Sequence, residues 1–264
     1  MRTLIIPDSH ADSSVPNTRY HALGEYIAFT KPDVVVELGD FADIPALCSY
    51  DYGSGAHEGK RLKQDLSAAQ EARGLLTLPI QREMKKSVEN HKKRYRPKLI
   101  ALSGNHEYRI VKTMNQTPSL IGMFDEDVSQ AAKWGWEWHP FGEIVTVGSI
   151  DYCHYFTSGI MGRPIGGVNL AYSLIQKRYR SSVQGHTHVW DYKTTRTDIG
   201  MQLIGLSAGC FFDHKQDYAK NANNMWWAGV TELIEGKQGV EVRQISLERI
   251  MEWAKRKGHL GGGV

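Results

Sequence analysis

Four times in this chain an apolar run stops and the next few positions are Asp, His or Asn. The run 3–6 gives way to Asp8 and His10, 34–38 to Asp40 and Asp43, 98–102 to Asn105 and His106, and 181–184 to His186 and His188. Asp-x-His and His-x-His put two donor atoms on the same side of an extended segment, because side chains alternate with period two. Carboxylate, amide and imidazole donors without cysteine suit Mn, Fe, Zn or Mg better than thiolate-bound metals. The chain has 11 histidines, and their placement is its most informative feature.

The elements that must position these residues follow from periodicity. Residues 3–6 form a strand. A helix over about 18–30, with Tyr20, Leu23 and Ile27 on one face, ends at Lys31-Pro32-Asp33, and a buried strand follows over 34–38. Such a βαβ unit builds a parallel sheet with helices outside it, and ligands bind beyond the carboxyl ends of its strands. Residues 60–98 read as two helices, or one kinked at Pro79, with Leu62, Leu66, Ala69, Ala72, Leu76, Ile80, Met84, Val88 and His91 at helical spacing. Then come a strand at 98–102, a mixed helical stretch at 108–133, and strands at 134–139, 143–147 and 150–156. The glycine-rich loop 158–167 lacks the Gly-Lys-Ser/Thr ending of a P-loop. A helix over 169–178, strands at 181–184, 190–195, 201–206, 227–234 and 240–245, a helix at 247–257 and a frayed tail from Gly261 complete the expectation.

Composition narrows the classes. With 264 residues and 23% charged residues, the chain reads as one globular α/β domain over 1–264. A net charge of +3 is too small for a protein that coats nucleic acid over its whole surface. Three cysteines without a close pair fit a reducing, cytoplasmic setting. No apolar run approaches the roughly 18–20 residues of a spanning helix, and the first one is too short for a secretory signal. The charge is unevenly spread. Residues 60–98 hold 12 Lys and Arg against 4 Asp and Glu, a net of +8, which leaves −5 for the rest. That stretch is either a solvated helical face or a basic arm that draws a polyanion, such as nucleic acid or a nucleotide, toward the metal cleft.

In order, Asp8-Ser9-His10, Gly39-Asp40-Phe41-Ala42-Asp43, Gly104-Asn105-His106-Glu107, the lone His154 and Gly185-His186-Thr187-His188 resemble the motif series of the calcineurin-like metallophosphoesterase superfamily. The segments span residues 8–188. Each motif alone is weak; five in family order form a specific signal. The resemblance implies a four-layer α/β/β/α sandwich of two mixed sheets, with residues 50–98 as a helical, basic insertion. It implies two divalent metal ions, Mn first and Fe, Zn, Ni or Mg as alternatives. Asp8, His10, Asp40 and His188 would hold one, and Asp40, Asn105, His154 and His186 the other. It further implies hydrolysis of a phosphodiester or phosphomonoester by in-line attack of a metal-bridging hydroxide. His106 would face the substrate and assist the leaving group, Glu107 would orient its imidazole, and Asp43 would support the ligands.

The chain departs from the family pattern at Pro7, before the first Asp, and at Tyr155, after the lone histidine. His139 is the other candidate for that histidine; His154 is preferred for its place at a strand end. Asp43 could equally be a helix N-cap. Arg109 could contact phosphate or lie on a helix surface. His214 reads as part of a surface loop, and His21, His57, His91 and His259 as solvent-facing or partly buried. Trp134, Trp136 and Trp138 read as core packing, with a base-stacking platform as the sharper alternative. Specificity would lie in the 50–98 segment and in the 158–167 and 211–225 loops. Two other readings stand beside hydrolysis: an inactive metal-binding scaffold, and a nucleic-acid-binding protein with structural metals.

Overall fold

A computed structural model of the chain describes residues 1–89 and 94–260. His91, Lys92, Lys93 and the tail from Gly261 lie outside the described residues. In chain order the first elements are β1 (Arg2–Ile6), α1 (Thr18–Thr30), β2 (Val34–Glu37), α2 (Leu62–Glu89), β3 (Lys98–Leu102), α3 (Tyr108–Gln116), β4 (Glu137–His139), β5 (Val145–Val147) and β6 (Ile150–Cys153). A short hairpin of β7 (Thr157–Ser158) and β8 (Arg163–Pro164) leads to α4 (Leu170–Arg178) and β9 (Ser181–Gln184). The chain ends with β10 (Trp190–Arg196), β11 (Gln202–Ala208), β12 (Gly229–Gly236), β13 (Gly239–Ser246) and α5 (Leu247–Arg256).

The protein is mixed α/β. One sheet has the order β13-β12-β1-β2-β3-β4, the other β10-β11-β9-β6-β5. β1 to β4 run parallel, while β12 joins β1 and β13 antiparallel. In the second sheet β9 lies parallel to both β6 and β11. The unbroken apolar runs of β1 and β2 are explained by burial on both faces. Leu4, Ile6 and Val35 pack with Leu23 and Ile27 of α1, Leu76 and Ile80 of α2 and Ile250 of α5. Their neighbours Ile5, Val34 and Val36 point the other way and share a core with Ile150, Tyr152, Val183 and Leu206 of the second sheet. Leu170 and Leu174 of α4 pack with Cys153 and Phe156.

The segment expected as a helical insertion is the crossover between parallel β2 and β3. It is one helix that continues through Pro79, because Ala72, Leu76 and Ile80 on both sides of the proline are seated in the main core. Gly24 of α1 makes the helix pair possible, since a Cβ there would stand 2.4 Å from the Leu76 carbonyl oxygen. Direction matters for the basic charge. At about 1.5 Å per residue, α2 carries Lys85 and Lys86 to the amino-terminal end of the strands, opposite the loops that bear Asp8, Asp40 and Asn105. Other cations of the stretch are neutralised locally: Arg73 by Glu37, Arg82 by Glu25, Lys60 by Asp51 and Lys98 by Glu137. The described part of this stretch thus gives an arm reaching toward the cleft little geometric basis.

Several expected elements are shorter than their periodicity suggests, among them the strands at 143–147 and 150–156, which span Val145–Val147 and Ile150–Cys153, and two have a plain backbone cause. The helix over 108–133 stops at Gln116, because Pro118 disfavours helical backbone at Thr117 and Gly122 takes a positive φ of 86°. Gly135, also at φ 86°, delays the strand expected from 134 until Glu137. Trp136 is buried, its indole N–H donating to Thr77 Oγ1 at 2.9 Å, and Trp134 and Trp138 pack against the same core. The tryptophans are core, not a platform for bases.

Asp65 of α2 is 2% exposed, and its carboxylate accepts the Ala46 N–H at 3.0 Å. Burial outweighs that hydrogen bond and pushes it up to about 6. A carboxyl raised on folding stabilises fully below its unfolded value near 3.8, and this contribution is lost as pH rises through about 6. Asp65→Asn keeps an acceptor without the charge. It is expected to be more stable than the natural chain at pH 8, on the order of 2 kcal/mol, and to show no such gain at pH 4. Urea unfolding at the two pH values checks this.

Candidate metal centre

The loops that follow β1, β2, β3, β6 and β9 meet at one end of the two sheets. Asp8, His10, Asp40, His154 and His188 are buried there, and Asn105 and His186 half-buried. Donor atoms of Asp8, His10 and His188 lie within 4.8 Å of one another, as do those of Asp40, His154 and His186. His10, Asp40 and His106 form a third such group between them. Asn105 Oδ1 stands 2.9 Å from His154 Nε2 and so adjoins the second group. All seven expected ligand residues therefore converge. His139 does not join them; its ring is held between Glu137 and Glu143 at 3.1 and 2.8 Å.

The local backbone is unusual. His10, Asp40, His186 and His188 have φ of 46°, 48°, 69° and 60°. Left-handed backbone is uncommon outside glycine, and His and Asp tolerate it better than most. Such strain collects where a side chain must be aimed. Neighbouring groups hold it in place. Asp8 accepts the His186 N–H at 2.9 Å, and Asp40 Oδ1 the His106 N–H at 2.8 Å. Arg19 donates to the carbonyls of Ser9 and His10 at 2.8 and 3.1 Å, and the Tyr20 hydroxyl donates to Ser9 as well. Nothing in the sequence marked Arg19 for this role; it reads as an ordinary first-turn helix residue.

Glu107 takes a different part from the one expected. Its carboxylate accepts N–H groups of Asp40, Ala42 and Gly104 at 3.0, 2.7 and 2.8 Å, and so ties the loop after β2 to the loop after β3. Burial and the Asp40 carboxylate push it up to about 7. Asp43, not Glu107, orients the His106 imidazole: Nδ1–H donates to the Asp43 carbonyl and to Oδ1, each at 2.8 Å. Glu107 turns back toward the N–H-rich loop, while the His106 ring points to Asp43. Arg109 is not a helix-surface arginine. It donates to the carbonyls of Asp43 and Ile44 at 2.7 and 3.2 Å, and its Nη2 donates to His106 Nε2 at 3.0 Å. On the other side Phe212 packs on His10 and His188 at ring separations of 4.9 and 5.2 Å, and Trp226 meets His188 at 4.5 Å. His214 is half-buried at this edge, its ring 4.8 Å from Phe212.

These residues fit divalent cations. His154 donates Nδ1–H to the Leu38 carbonyl at 3.0 Å, which turns Nε2 toward Asp40 as the ligating atom, the usual support for a metal-bound imidazole. His10 is fully buried, yet among the described residues neither ring nitrogen has a hydrogen-bond partner; its Nδ1 stands 3.5 Å from Asp43 Oδ1. Buried polar atoms left unpaired call for an explanation, and a cation supplies one. The electrostatics are those of a crowded cluster. Burial alone would raise Asp40, but His106, His154 and His10 outweigh it and hold it well below the usual carboxylate range. Burial pulls His154 down, but Asp40 outweighs it and carries it up to about 9, whereas burial and His154 depress His186 to about 4.

Gly185 allows the close approach of Asp8. A Cβ at position 185 would stand 2.1 Å from Asp8 Oδ1, so Gly185→Ala must displace the carboxylate from His188 and from the His186 N–H. The expected result is at least tenfold weaker binding of Mn2+, in line with loss of a supporting group, measured by competition with a chelating dye. No family model matches this chain, and no curated protein matches it significantly.

Proposed function

We propose that the protein is a dinuclear metal-dependent phosphoesterase. The observation that carries this reading is the meeting of two His/Asp groups, Asp8-His10-His188 and Asp40-His154-His186, with His10-Asp40-His106 between them. Asp40 would be the residue shared by the two ions: its Oδ2 is 3.3 Å from His154 Nε2 and 3.8 Å from His10 Nε2. The oxygen and imidazole donor set suits Mn, Fe, Zn, Ni or Mg, and the family resemblance puts Mn first. The four-layer α/β/β/α sandwich belongs to the same reading. It is supported by the core shared between the sheets and by α1, α2 and α5 on one outer face and α4 on the other. Three unpaired cysteines support a cytoplasmic setting.

Two bound cations would acidify a water and neutralise a phosphoryl group for in-line displacement. The chain's own residues do the rest. Burial pulls His106 down, but Asp40 and Asp43 outweigh it and hold the imidazole above its ordinary value. It is thus suited to carry a proton to a leaving oxygen. Asp43 fixes the ring, so that Nε2 is the atom offered to substrate. In the free protein Arg109 donates to Nε2, which therefore carries no proton; an arriving phosphoryl oxygen would take over that guanidinium N–H, and the released Nε2 would then take up a proton and pass it to the ester oxygen.

The test is turnover of p-nitrophenyl phosphate, its bis ester and a cyclic nucleotide with Mn, Ni, Zn, Fe and Mg in turn. Metal-dependent release is expected, and its absence with every metal contradicts the reading. His106→Ala should lower turnover by about 10²–10⁴-fold with metal content unchanged. Loss of metal instead would make His106 a ligand.

A further inference from the structure

Beside the metal centre, on its Asn105 and His186 side, lies a cleft of about 310 Å³. Its composition is one-sided. Among the described residues Arg109 and Lys112 line it and no Asp or Glu does, the nearest carboxylate to Arg109 being Asp43, with Oδ1 3.9 Å away behind the wall. Lys112 is exposed and has no carboxylate within 4.0 Å among the described residues. The one nearby acid on the 3-10 turns of the wall, Asp51, is neutralised by Lys60 at 3.0 Å. Tyr50 and Tyr52 stand on the same wall, 95% and 54% exposed. Tyr155, whose ring is 4.7 Å from that of His186, forms the side toward the metal centre. Tyr155 is one of the two residues, with Pro7, at which the chain departs from the family pattern.

Two exposed tyrosine rings satisfy neither a sugar phosphate, rich in hydroxyls, nor an acidic peptide. A planar base matches them: it stacks on a ring face without regard to sequence, while cations beside it hold the backbone. The cleft is at the small end of the roughly 300–1,000 Å³ range of ligand pockets, which suits one nucleotide. We infer that it takes the nucleoside portion of a nucleotide phosphoester, the base on Tyr50 and Tyr52 and the adjoining phosphate on Lys112 and Arg109. The inference rests on the phosphoesterase reading for the phosphate that is cut. It places recognition on the turns before α2 and on α3, not on the basic carboxyl-terminal part of α2.

The experiment uses the metal-loaded full chain and two esters with one leaving group, thymidine 5′-p-nitrophenyl phosphate and methyl p-nitrophenyl phosphate. The thymidine ester should be preferred about tenfold or more in kcat/KM, within the contribution of one stacked base. In a Tyr50→Ala, Tyr52→Ala double variant the ratio should fall at least fivefold, and in Tyr50→Phe, Tyr52→Phe it should be retained. A ratio near one in the natural chain, or one that the alanine variant leaves intact, overturns the inference. If neither ester is cut with any metal, the hydrolase reading has failed, and calorimetric titration with thymidine 3′,5′-bisphosphate decides the cleft. A Kd at least tenfold weaker in the alanine variant supports the site. An equal Kd, or no binding to the natural chain, overturns it.

Discussion

Replacing Asp40 by Asn is expected to lower phosphoesterase turnover by more than the roughly 10–100-fold that follows loss of a group merely supporting a ligand. Among the described residues Asp40 is the only carboxylate within 4.0 Å of ring nitrogens of His10, His106 and His154 together. Asn keeps the shape and an oxygen to accept the His106 N–H, now at 2.8 Å. It loses the charge that two cations would share and the second anionic oxygen that faces His154. Metal content should fall together with turnover, from two ions per chain to one or fewer, measured by elemental analysis after gel filtration. Undiminished metal content with full turnover would remove Asp40 from the bridging position.

The second large effect is on stability. Arg73 of α2 and Glu37 at the end of β2 are each 1% exposed at the side chain and meet at 2.5 Å. The guanidinium lies 3.9 Å from the Phe41 ring and 4.7 Å from that of Trp136. Burial holds Glu37 above the ordinary carboxyl value even with Arg73 beside it. Arg73→Met leaves that carboxyl buried without its cation, a loss usually of about 3–5 kcal/mol. Glu37 can take up a proton instead, so the lower end, about 3 kcal/mol, is expected. A second substitution, Glu37→Leu, should recover most of the loss, since a packed apolar pair often replaces a buried ion pair at little cost. Urea midpoints of the three proteins decide the point. The pair also bears on the site, because Glu37 Oε1 accepts the Gly39 N–H at 3.1 Å, directly before Asp40.

Much of this candidate site is legible in the sequence. Asp, His and Asn placed just beyond apolar runs announce loops at strand ends, and strands that alternate inward and outward bring those ends together. Positions Asp8, His10, Asp40, Asn105, His154, His186 and His188 needed only that pattern and the resemblance in motif order. What failed to show in one dimension was direction. Glu107 and Asp43 are both carboxylates near His106, and only the turn into α3 decides that Asp43 meets its ring. The basic stretch 60–98 counts as +8 in the sequence, yet the crossover carries Lys85 and Lys86 away from the site. Arg73 is counted among those charges although it is buried. Tyr50 and Tyr52 carried no periodic signal, because they sit on and just after a 3-10 turn, and only the fold brings them to the cleft that Arg109 and Lys112 line.

The central claim is that two cations sit between these loops. Anomalous diffraction from crystals of the full chain grown in Mn2+ tests it most directly. Two peaks are predicted, one bounded by Asp8, His10 and His188, the other by Asn105, His154 and His186, with Asp40 touching both. A single peak, or none within reach of Asp40, would contradict the account.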